Sequence, residues 1–307
     1  MSEQKAESRE RPAAIKAVPV RHPGRWVGAA VIAVLAAMLV HSFLTNPNWG
    51  WDLVGQWIFA EPILQGVSVT LMLTALSMMI GLVGGVIVAV MRLSANPVLS
   101  SSAWLFTWVF RGVPVYVQLF LWATIIALYT QLSLGVPFGP EFVTFDTRYL
   151  IPAFVAALLG LGLNEAAYMA EIVRAGILSV DEGQTEAATA IGMSRTQTLR
   201  KIVLPQAMRV IIPPTGNETI SMLKTTALVT VIPVTTELLF QAQAVGNRLF
   251  EPFPMAVMAS IWYLALSSVL MVGQFYIERH FARGALRELP PTPLQKIRRR
   301  LALGVPR

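Results

Sequence analysis

The stretch LSVDEGQTEAATAIGMSRTQTLRKIVLPQA, residues 178–207, is the segment that decides the fold of this chain. It lies between two apolar runs, yet it is too polar to cross a membrane and too regularly patterned for an unstructured loop. Asp181 is placed to cap a first helix, and Gly192 is the residue type that commonly ends one. Ser194 and Gln197 have the spacing of a capping box, which opens a second helix. The segment therefore predicts two short helices joined by a glycine turn at a membrane surface.

The composition of the whole chain predicts a membrane protein. Among its 307 residues 55% are hydrophobic and only 13% are charged, and the mean hydropathy is +0.59. A soluble protein carries about 25% charged residues, because its surface must be solvated. Much of the surface of this chain must therefore face lipid.

Cysteines are absent and only three histidines occur, at His22, His41 and His280. Disulfides, thiol nucleophiles and thiolate metal sites are therefore excluded, and the scattered imidazoles predict no metal site. The net charge of +7 does not indicate nucleic-acid binding, because the basic residues lie between the apolar runs and at the two ends. That distribution is the one produced by the positive-inside rule.

Six apolar runs are long enough, or nearly long enough, to cross a bilayer as helices. The first, 26–44, resembles the core of a secretory signal, but no small-x-small cleavage site follows it, which favours an uncleaved helix. We predict an all-α membrane protein with about six transmembrane helices. The runs are 26–44, 64–91, 113–129, 149–172, 208–239 and 254–276.

The distribution of lysine and arginine predicts the orientation. The two ends and the segments 92–111 and 173–209 hold 21 of these residues, whereas the opposite segments hold only Arg148 and Arg248. Both termini are therefore expected in the cytosol. Residues 1–25 are expected to form a disordered cytosolic tail, and residues 284–307 a basic one.

Two of the runs carry signs of a polar interior. Five small or hydroxylated residues follow one helical face of 64–91, which indicates close packing against protein or the wall of a polar path. The run 208–239 contains Pro213, Pro214 and Pro233, and we expect these to interrupt its helix where protein or water satisfies the backbone. The five residues of the first face are Thr70, Thr74, Ser77, Gly81 and Gly84.

The cytosolic segment resembles the EAA motif of ABC importer membrane subunits. Glu186-Ala187-Ala188, then Gly192, then Ile202-x-Leu204-Pro205 match the motif and its spacing. Over residues 60–283 the chain resembles the polar amino acid permease family, that of the histidine and glutamine importers. The matching stretches include GVSVTLMLTALS (66–77), FRGVPVYVQLFL (110–121) and LNEAAYMAEIVRAGI (163–177).

The resemblance implies a five-helix importer core with 26–44 as an extra helix, in the bacterial cytoplasmic (inner) membrane. It implies a coupling helix that docks on a cytosolic ABC ATPase dimer, which binds the ATP and magnesium, so that the chain itself needs no cofactor and is not an enzyme. It also implies a second permease copy or a sister permease, and an extracytoplasmic solute-binding protein. The ATPase-contacting residues carried over are Gly183, Gln184, Glu186, Ala187, Ala188 and Gly192.

Polar residues within the apolar runs are candidates for the substrate path, since an ionisable group in a membrane is costly unless it has a role. Asn164 and Glu165 are deep enough to line the path, and Lys224 with Thr225 lies near mid-bilayer. Lys224 either attracts the carboxylate of an amino acid or pairs with Glu218 or Glu237. Both alternatives remain open on the sequence.

Other charged residues are predicted to have structural roles. Glu171 lies close to the cytosolic boundary with Arg174 about one turn further, which predicts a boundary salt bridge. Arg111 precedes Gly112 and Pro114 and is expected to anchor the start of the third helix at the interface, with a role in substrate binding as the alternative. Glu218 and Glu237 complete the set of structural ion-pair candidates.

We therefore expect the permease subunit of an ATP-driven importer that carries polar amino acids or related small solutes by alternating access. The chain has no GxxxxGK[ST] motif, so a partner must supply the energy. The alternative is a secondary transporter driven by an ion gradient, but no clear internal repeat supports it. A membrane-embedded hydrolase is disfavoured, because no GxSxG or HExxH occurs.

Overall fold

The computed structural model describes residues 23–281, apart from the side chain of Ile126; the predicted tails, 284–307 and nearly all of 1–25, lie outside this range. The predicted all-α membrane fold is confirmed, with one small hairpin added. Its elements are α1 (Pro23–Thr45), α2 (Trp51–Trp57), α3 (Glu61–Arg92), α4 (Pro97–Gly112), α5 (Val115–Leu128), β1 (Gln131–Gly135), β2 (Glu141–Asp146), α6 (Thr147–Leu150), α7 (Ala153–Leu178), α8 (Glu182–Ala190), α9 (Arg195–Thr198), α10 (Leu204–Thr225), α11 (Leu238–Leu249) and α12 (Pro252–Phe281).

The chain divides into two units, 1–49 and 50–307. In the first, α1 is a 23-residue helix that matches the predicted first span, and its apolar side chains are exposed along its whole length. A short 3-10 turn, Pro47–Trp49, follows it. A helix of this length and composition is long enough to cross a bilayer alone.

Within residues 23–281 four helices are long and apolar enough to span a membrane, namely α1, α3, α7 and α12. The bent pair formed by α4 and α5 would make a fifth. The remaining predicted span corresponds to α10, which is long enough but carries Asn217, Glu218 and Lys224 and is therefore less apolar.

The boundaries of the third span were predicted incorrectly. We placed a loop over 92–111 and a helix over 113–129, whereas α4 already begins at Pro97, capped by the Asn96 side chain. The helix then breaks at Val113-Pro114 and resumes as α5 with a bend of 103°. The break follows from proline chemistry, because Pro114 disfavours the helical conformation of Val113 and donates no backbone hydrogen bond.

The fifth span was also predicted incorrectly in its details. Pro213 and Pro214 lie inside α10 without ending it. The helix ends instead at Thr225 and is followed by a 3-10 helix, Thr226–Val231, and an irregular segment that leads to α11. The interruption therefore lies near Pro233, and not at the proline pair.

The centre of the second unit is the packing of α3 against α7. The predicted inward face of α3 is buried, and its glycines allow the close approach. A Cβ at Gly81 would lie 2.3 Å from the Cγ of Glu165, and one at Gly85 would lie 2.5 Å from the Cβ of Met169. Both contacts are too short for any side chain, so the two glycines set the distance between the helices.

Strands β1 and β2 form an antiparallel hairpin that the sequence did not lead us to expect. Its pairs alternate between a polar face, with Ser133 opposite Thr144, and an apolar face, with Leu134 opposite Val143. Leu132, on the apolar face, packs against the core of the helical bundle. The rest of the hairpin is largely exposed.

Candidate functional site: a charged cavity at the helix break

The break between α4 and α5 leaves backbone carbonyl groups without their helical partners, and side-chain amides donate hydrogen bonds to them. Gln118 Nε2 donates to the carbonyl oxygens of Phe110 (2.8 Å) and Val113 (2.7 Å). Asn164 Nδ2, on α7, donates to the same Phe110 oxygen at 2.9 Å. Because buried carbonyl groups are costly when unpaired, these bonds stabilise the bend and fix it against α7.

A cavity of about 500 Å³ lies beside this break. Its walls come from the break itself, from the middle of α7 and from the second half of α10. This volume is typical of small-molecule sites. The lining residues are Arg111, Gly112, Val113, Pro114, Val115, Leu161, Asn164, Glu165, Tyr168, Glu218, Ser221, Met222 and Thr225.

Glu165 is the most unusual residue of the cavity wall. Its side chain is buried against Gly81 of α3, and its Oε1 atom has no hydrogen-bond partner within residues 23–281. A buried carboxylate oxygen without a donor is expensive, so such an atom requires an explanation. Glu165 also lines the cavity, which makes it a candidate binding group for a cationic or hydrogen-bond-donating ligand.

Arg111 and Glu218, which we predicted as structural ion-pair candidates, line the same cavity. Arg111 lies in the last turn of α4 and places its guanidinium over the ring of Tyr168, 5.3 Å from the centroid. It is therefore not an anchor at the start of a helix. Glu218 is half-buried and forms no ion pair with Lys224. With Glu165 the cavity holds two carboxylates and one guanidinium.

The four substrate-path candidates separate into two groups. Asn164, Glu165 and Thr225 line the cavity. Lys224 does not; it is exposed on an adjacent face of α10 and forms no ion pair in the described part of the chain. Asn164 has a further role, because its amide holds the helix break.

The remaining ion-pair candidates have different outcomes. Glu171 and Arg174 form the expected salt bridge at 2.8 Å, and Arg92 at the end of α3 joins it at 3.8 Å. Glu237 forms no ion pair in the described part of the chain. It is fully buried and caps α11 instead, accepting hydrogen bonds from the backbone N–H groups of Leu239 and Phe240.

The cytosolic segment has the predicted local structure. Asp181 caps α8 through the N–H of Gly183, Gly192 adopts a left-handed φ of 80°, and Ser194 forms the capping box with Gln197. The second helix continues from α9 through a π-helical turn, Leu199–Val203, into α10. This segment is therefore joined by continuous helical backbone to the helix that carries one wall of the cavity.

One predicted contact residue of this segment is not available to a partner. Ala188 is buried against the chain itself, with 3% of its surface exposed. Gly183, Gln184, Glu186 and Ala187 are exposed. Ile191, which we did not select, is 78% exposed at the end of α8. Its position directly before the helix-ending glycine was the available signal.

The position of Arg111 and Ser221 at the cavity also had a signal in the sequence. Arg111 stands next to Gly112 and Pro114 inside an apolar run, which is the same pattern that we used to expect a broken helix near Pro213. Ser221 is one helical turn from Thr225 and four residues from Asn217, so its face could be assigned only once the partner helices were known.

Comparison with known proteins places this chain in a family of transport proteins. Residues 81–283 match the family described as binding-protein-dependent transport system inner membrane component. An arginine transport system permease protein of Corynebacterium glutamicum is 50% identical over 283 residues, 92% of this chain and 88% of that protein. A histidine/lysine/arginine/ornithine transport system permease protein of Escherichia coli K12 is 38% identical over 67% of this chain and 83% of that protein.

Solved structures show the same fold. One chain of a crystal structure of an amino acid ABC transporter with histidines is 32% identical, with a TM-score of 0.61 over 72% of this chain and 95% of that chain. A chain of the MetNI methionine ABC transporter, at 19% identity, has a TM-score of 0.56 and supports the fold alone.

Proposed function

This chain belongs to the binding-protein-dependent transport system inner membrane component family, as an amino acid ABC transporter permease subunit, and we propose that it forms an ATP-driven path for cationic amino acids. The two relatives are named as transport system permease proteins, and the solved structure that is 32% identical is of an amino acid ABC transporter. Family membership therefore favours the importer over the ion-gradient transporter.

The observation that carries the substrate assignment is the charge of the cavity. Two acidic residues, Glu165 and Glu218, line the cavity with one basic residue, Arg111, and this composition favours a cationic ligand. We propose that Arg111 binds the α-carboxylate, in the paired geometry that guanidinium and carboxylate groups prefer. Glu165 and Glu218 then bind the α-ammonium group and the cationic side chain. The names of the arginine and histidine/lysine/arginine/ornithine permeases support the same class of substrate.

We propose that the cytosolic segment 178–207 couples ATP hydrolysis by a partner to movement of the membrane helices. We propose that α8 docks on a cytosolic ABC ATPase dimer, which binds ATP and magnesium, with Gln184, Glu186, Ala187 and Ile191 at the contact. Gly183 and Gly192 shape the two ends of α8. Since the segment continues into α10, a movement of α8 reaches the cavity wall that contains Glu218 and Thr225.

The exposed face of α10 is the proposed boundary of the shared pathway. Asn217, Ser221 and Lys224 follow one face of this helix and are exposed. Polar groups on a membrane helix are costly against lipid, so this face suits a water-filled path or a second permease. We propose that a second copy or a sister permease lies across it. Lys224 then faces the path without lining the cavity.

The proposed cycle is alternating access in the bacterial cytoplasmic membrane, with both termini in the cytosol. ATP binding draws the two coupling helices together and opens the cavity toward an extracytoplasmic solute-binding protein. ATP hydrolysis resets the helices and opens the cavity inward. The orientation is supported by the arginine and lysine count between spans.

The test of the substrate site is arginine uptake into proteoliposomes that contain the whole transporter with its ATPase and binding protein. Glu165→Gln and Glu218→Gln should each lower arginine kcat/KM by about tenfold to a hundredfold, because each removes a charge-assisted hydrogen bond. Glu278→Gln, on α12 and outside the cavity, is the matched control and should be neutral. Unchanged uptake in both cavity variants would exclude this cavity as the site.

The test of coupling uses the turn after α8. Gly192→Val should weaken ATPase association, because a β-branched residue strains the left-handed conformation at φ 80°. Gly192→Asn is the matched control, since asparagine tolerates this conformation. Co-purification of the ATPase with each variant gives the result. Full association of the valine variant would mean that this turn does not position the coupling helix.

A further inference from the structure

Two phenylalanines hold a backbone conformation that bulky residues rarely adopt. Phe138 has a φ of 61° and Phe250 a φ of 58°, and no other non-glycine residue of the described chain has a positive φ. The left-handed conformation costs about 1–2 kcal/mol for an ordinary residue. Both side chains are almost completely exposed, so burial within the chain does not repay this cost. A strained, exposed aromatic residue points to a function outside the chain.

Both phenylalanines lie on the same side of the membrane in the proposed orientation. Phe138 lies in the turn between β1 and β2, and Phe250 ends α11. The segments that contain them are opposite to the cytosolic segments rich in lysine and arginine. They therefore face the compartment from which the substrate arrives.

Each phenylalanine is connected to the cavity or to the helices around it by fixed contacts. At the base of the hairpin, Leu132 packs against a core cluster that includes Leu161 and Met222, and these two residues also line the cavity. At the other end of α11, Glu237 accepts hydrogen bonds from Thr70 of α3 and Tyr263 of α12. A displacement of either turn would therefore be transmitted to the helical bundle through these contacts.

The charges on this side restrict what the two rings can contact. Five exposed carboxylates face only two arginines, and the guanidinium of Arg248 already lies over the ring of Trp57 at 5.4 Å. An anionic lipid surface would be repelled by this acidic face, whereas a partner with lysine and arginine around its contact would be attracted. The carboxylates are Asp52, Glu61, Glu141, Asp146 and Glu251, and the second arginine is Arg148.

We propose that Phe138 and Phe250 are the anchors on which the substrate-loaded solute-binding protein docks. Their rings enter apolar pockets on that protein, and Glu141 and Glu251 meet a basic rim around them. Aromatic anchors with a polar rim are the usual energetic centres of protein interfaces. This inference rests on the proposed function, because it assigns the surface that receives the substrate carrier.

Substitution by asparagine distinguishes the effect of the aromatic ring from the effect of the backbone conformation. Asparagine tolerates the left-handed conformation, so Phe138→Asn and Phe250→Asn keep each turn, relieve its strain and remove only the aromatic contact. Tyr149→Asn is the matched control, because Tyr149 is an exposed aromatic residue on the same side but outside the two turns.

The measurement is ATP hydrolysis by the whole transporter in nanodiscs, titrated with its purified, arginine-loaded solute-binding protein. Each phenylalanine variant should raise the half-maximal concentration of binding protein about tenfold, which corresponds to 1.4 kcal/mol. The rate at saturating binding protein should be retained. Tyr149→Asn should leave the titration unchanged.

Cross-linking identifies the occupant directly, since the chain has no native cysteine. Phe138→Cys labelled with a photoreactive maleimide should cross-link to the binding protein. Cross-links only to lipid, or only to a second permease, would overturn the proposal. So would unchanged titrations of both asparagine variants in a transporter that the binding protein stimulates. A wild-type transporter without such stimulation would instead overturn the importer itself, and this inference with it.

Discussion

Two buried glutamates of this chain, Glu165 and Glu237, have opposite environments. Glu237 accepts four hydrogen bonds, from Thr70, Tyr263 and the backbone of Leu239 and Phe240. Glu165 is buried to a similar degree, but its Oε1 has no partner among residues 23–281, and its carboxylate borders the cavity.

We propose that this difference separates a structural carboxylate from one that binds a ligand. A buried acceptor with every donor in place stabilises the fold, whereas a buried acceptor without donors destabilises it until something binds. Burial and residue type alone would have put the two glutamates in one class. Only the donors around each of them distinguish the two roles.

The largest expected effect on the free energy of unfolding is that of replacing Glu237, the fully hydrogen-bonded glutamate of the pair. Glu237→Ala should lower the free energy of unfolding by about 3 kcal/mol or more, because it removes a helix cap and leaves buried hydroxyl and N–H groups unpaired. Thermal unfolding in detergent measures this, with Glu61→Ala, an exposed carboxylate in the first turn of α3, as the control. A loss below about 1 kcal/mol would remove the contrast with Glu165.

The next effect concerns the glycine that fixes the position of Glu165. Gly81→Ala should cost about 1–3 kcal/mol, because its Cβ would overlap Glu165 Cγ at 2.3 Å and push the helices apart. Arginine uptake should fall as well, since the carboxylate moves. Gly273→Ala, in open space on α12, is the matched control and should not lower stability. Equal stability of the two variants would show that α3 and α7 adapt to the added methyl.

A smaller effect is expected when one donor to Glu237 is removed. Tyr263→Phe keeps the ring but deletes the hydroxyl that donates to Glu237 Oε1, which should cost about 1.5 kcal/mol. The cost should disappear in a Glu237→Ala background, where the hydroxyl has no carboxylate to bind, so a double-mutant cycle measures the pair. Additive costs in the cycle would mean that the hydroxyl stabilises something else.

The segment 178–207 could be predicted from sequence because its structure is local. Asp181, Gly192, Ser194 and Gln197 act on backbone groups within a few residues of themselves, so their spacing alone determines the caps and the turn. The apolar runs likewise predict membrane helices by length and composition. The family resemblance added the coupling role, which the caps alone do not imply.

The cavity could be predicted only in part, because it depends on contacts between distant segments. Asn164 and Glu165 were selected for their depth in the membrane, but Arg111 joins them only because the chain bends by 103° at Pro114. Pro213 and Pro214 carry the same local signal and leave α10 unbroken. Near Pro114 the freed carbonyl groups accept hydrogen bonds from Gln118 and Asn164, and local patterns do not reveal that Asn164, 54 residues from Phe110, is a donor.

The substitution with the smallest expected effect on stability, Glu165→Gln, best distinguishes a ligand-binding role of this glutamate from a structural role. Glu165→Gln should change the free energy of unfolding by less than about 1 kcal/mol, because the carboxylate has an unpaired buried oxygen and a neutral amide is cheaper to bury. The same variant should lower arginine kcat/KM by about tenfold to a hundredfold, whereas Glu237→Ala should lower the free energy of unfolding by about 3 kcal/mol or more. Thermal unfolding of Glu165→Gln, measured with and without arginine, checks this.

Added arginine should stabilise the wild-type protein more than the variant, because only the wild type offers the ligand a carboxylate at this position. A variant that loses stability as Glu237→Ala does would place Glu165 among the structural carboxylates and leave Glu218 as the acidic partner of Arg111 in the cavity.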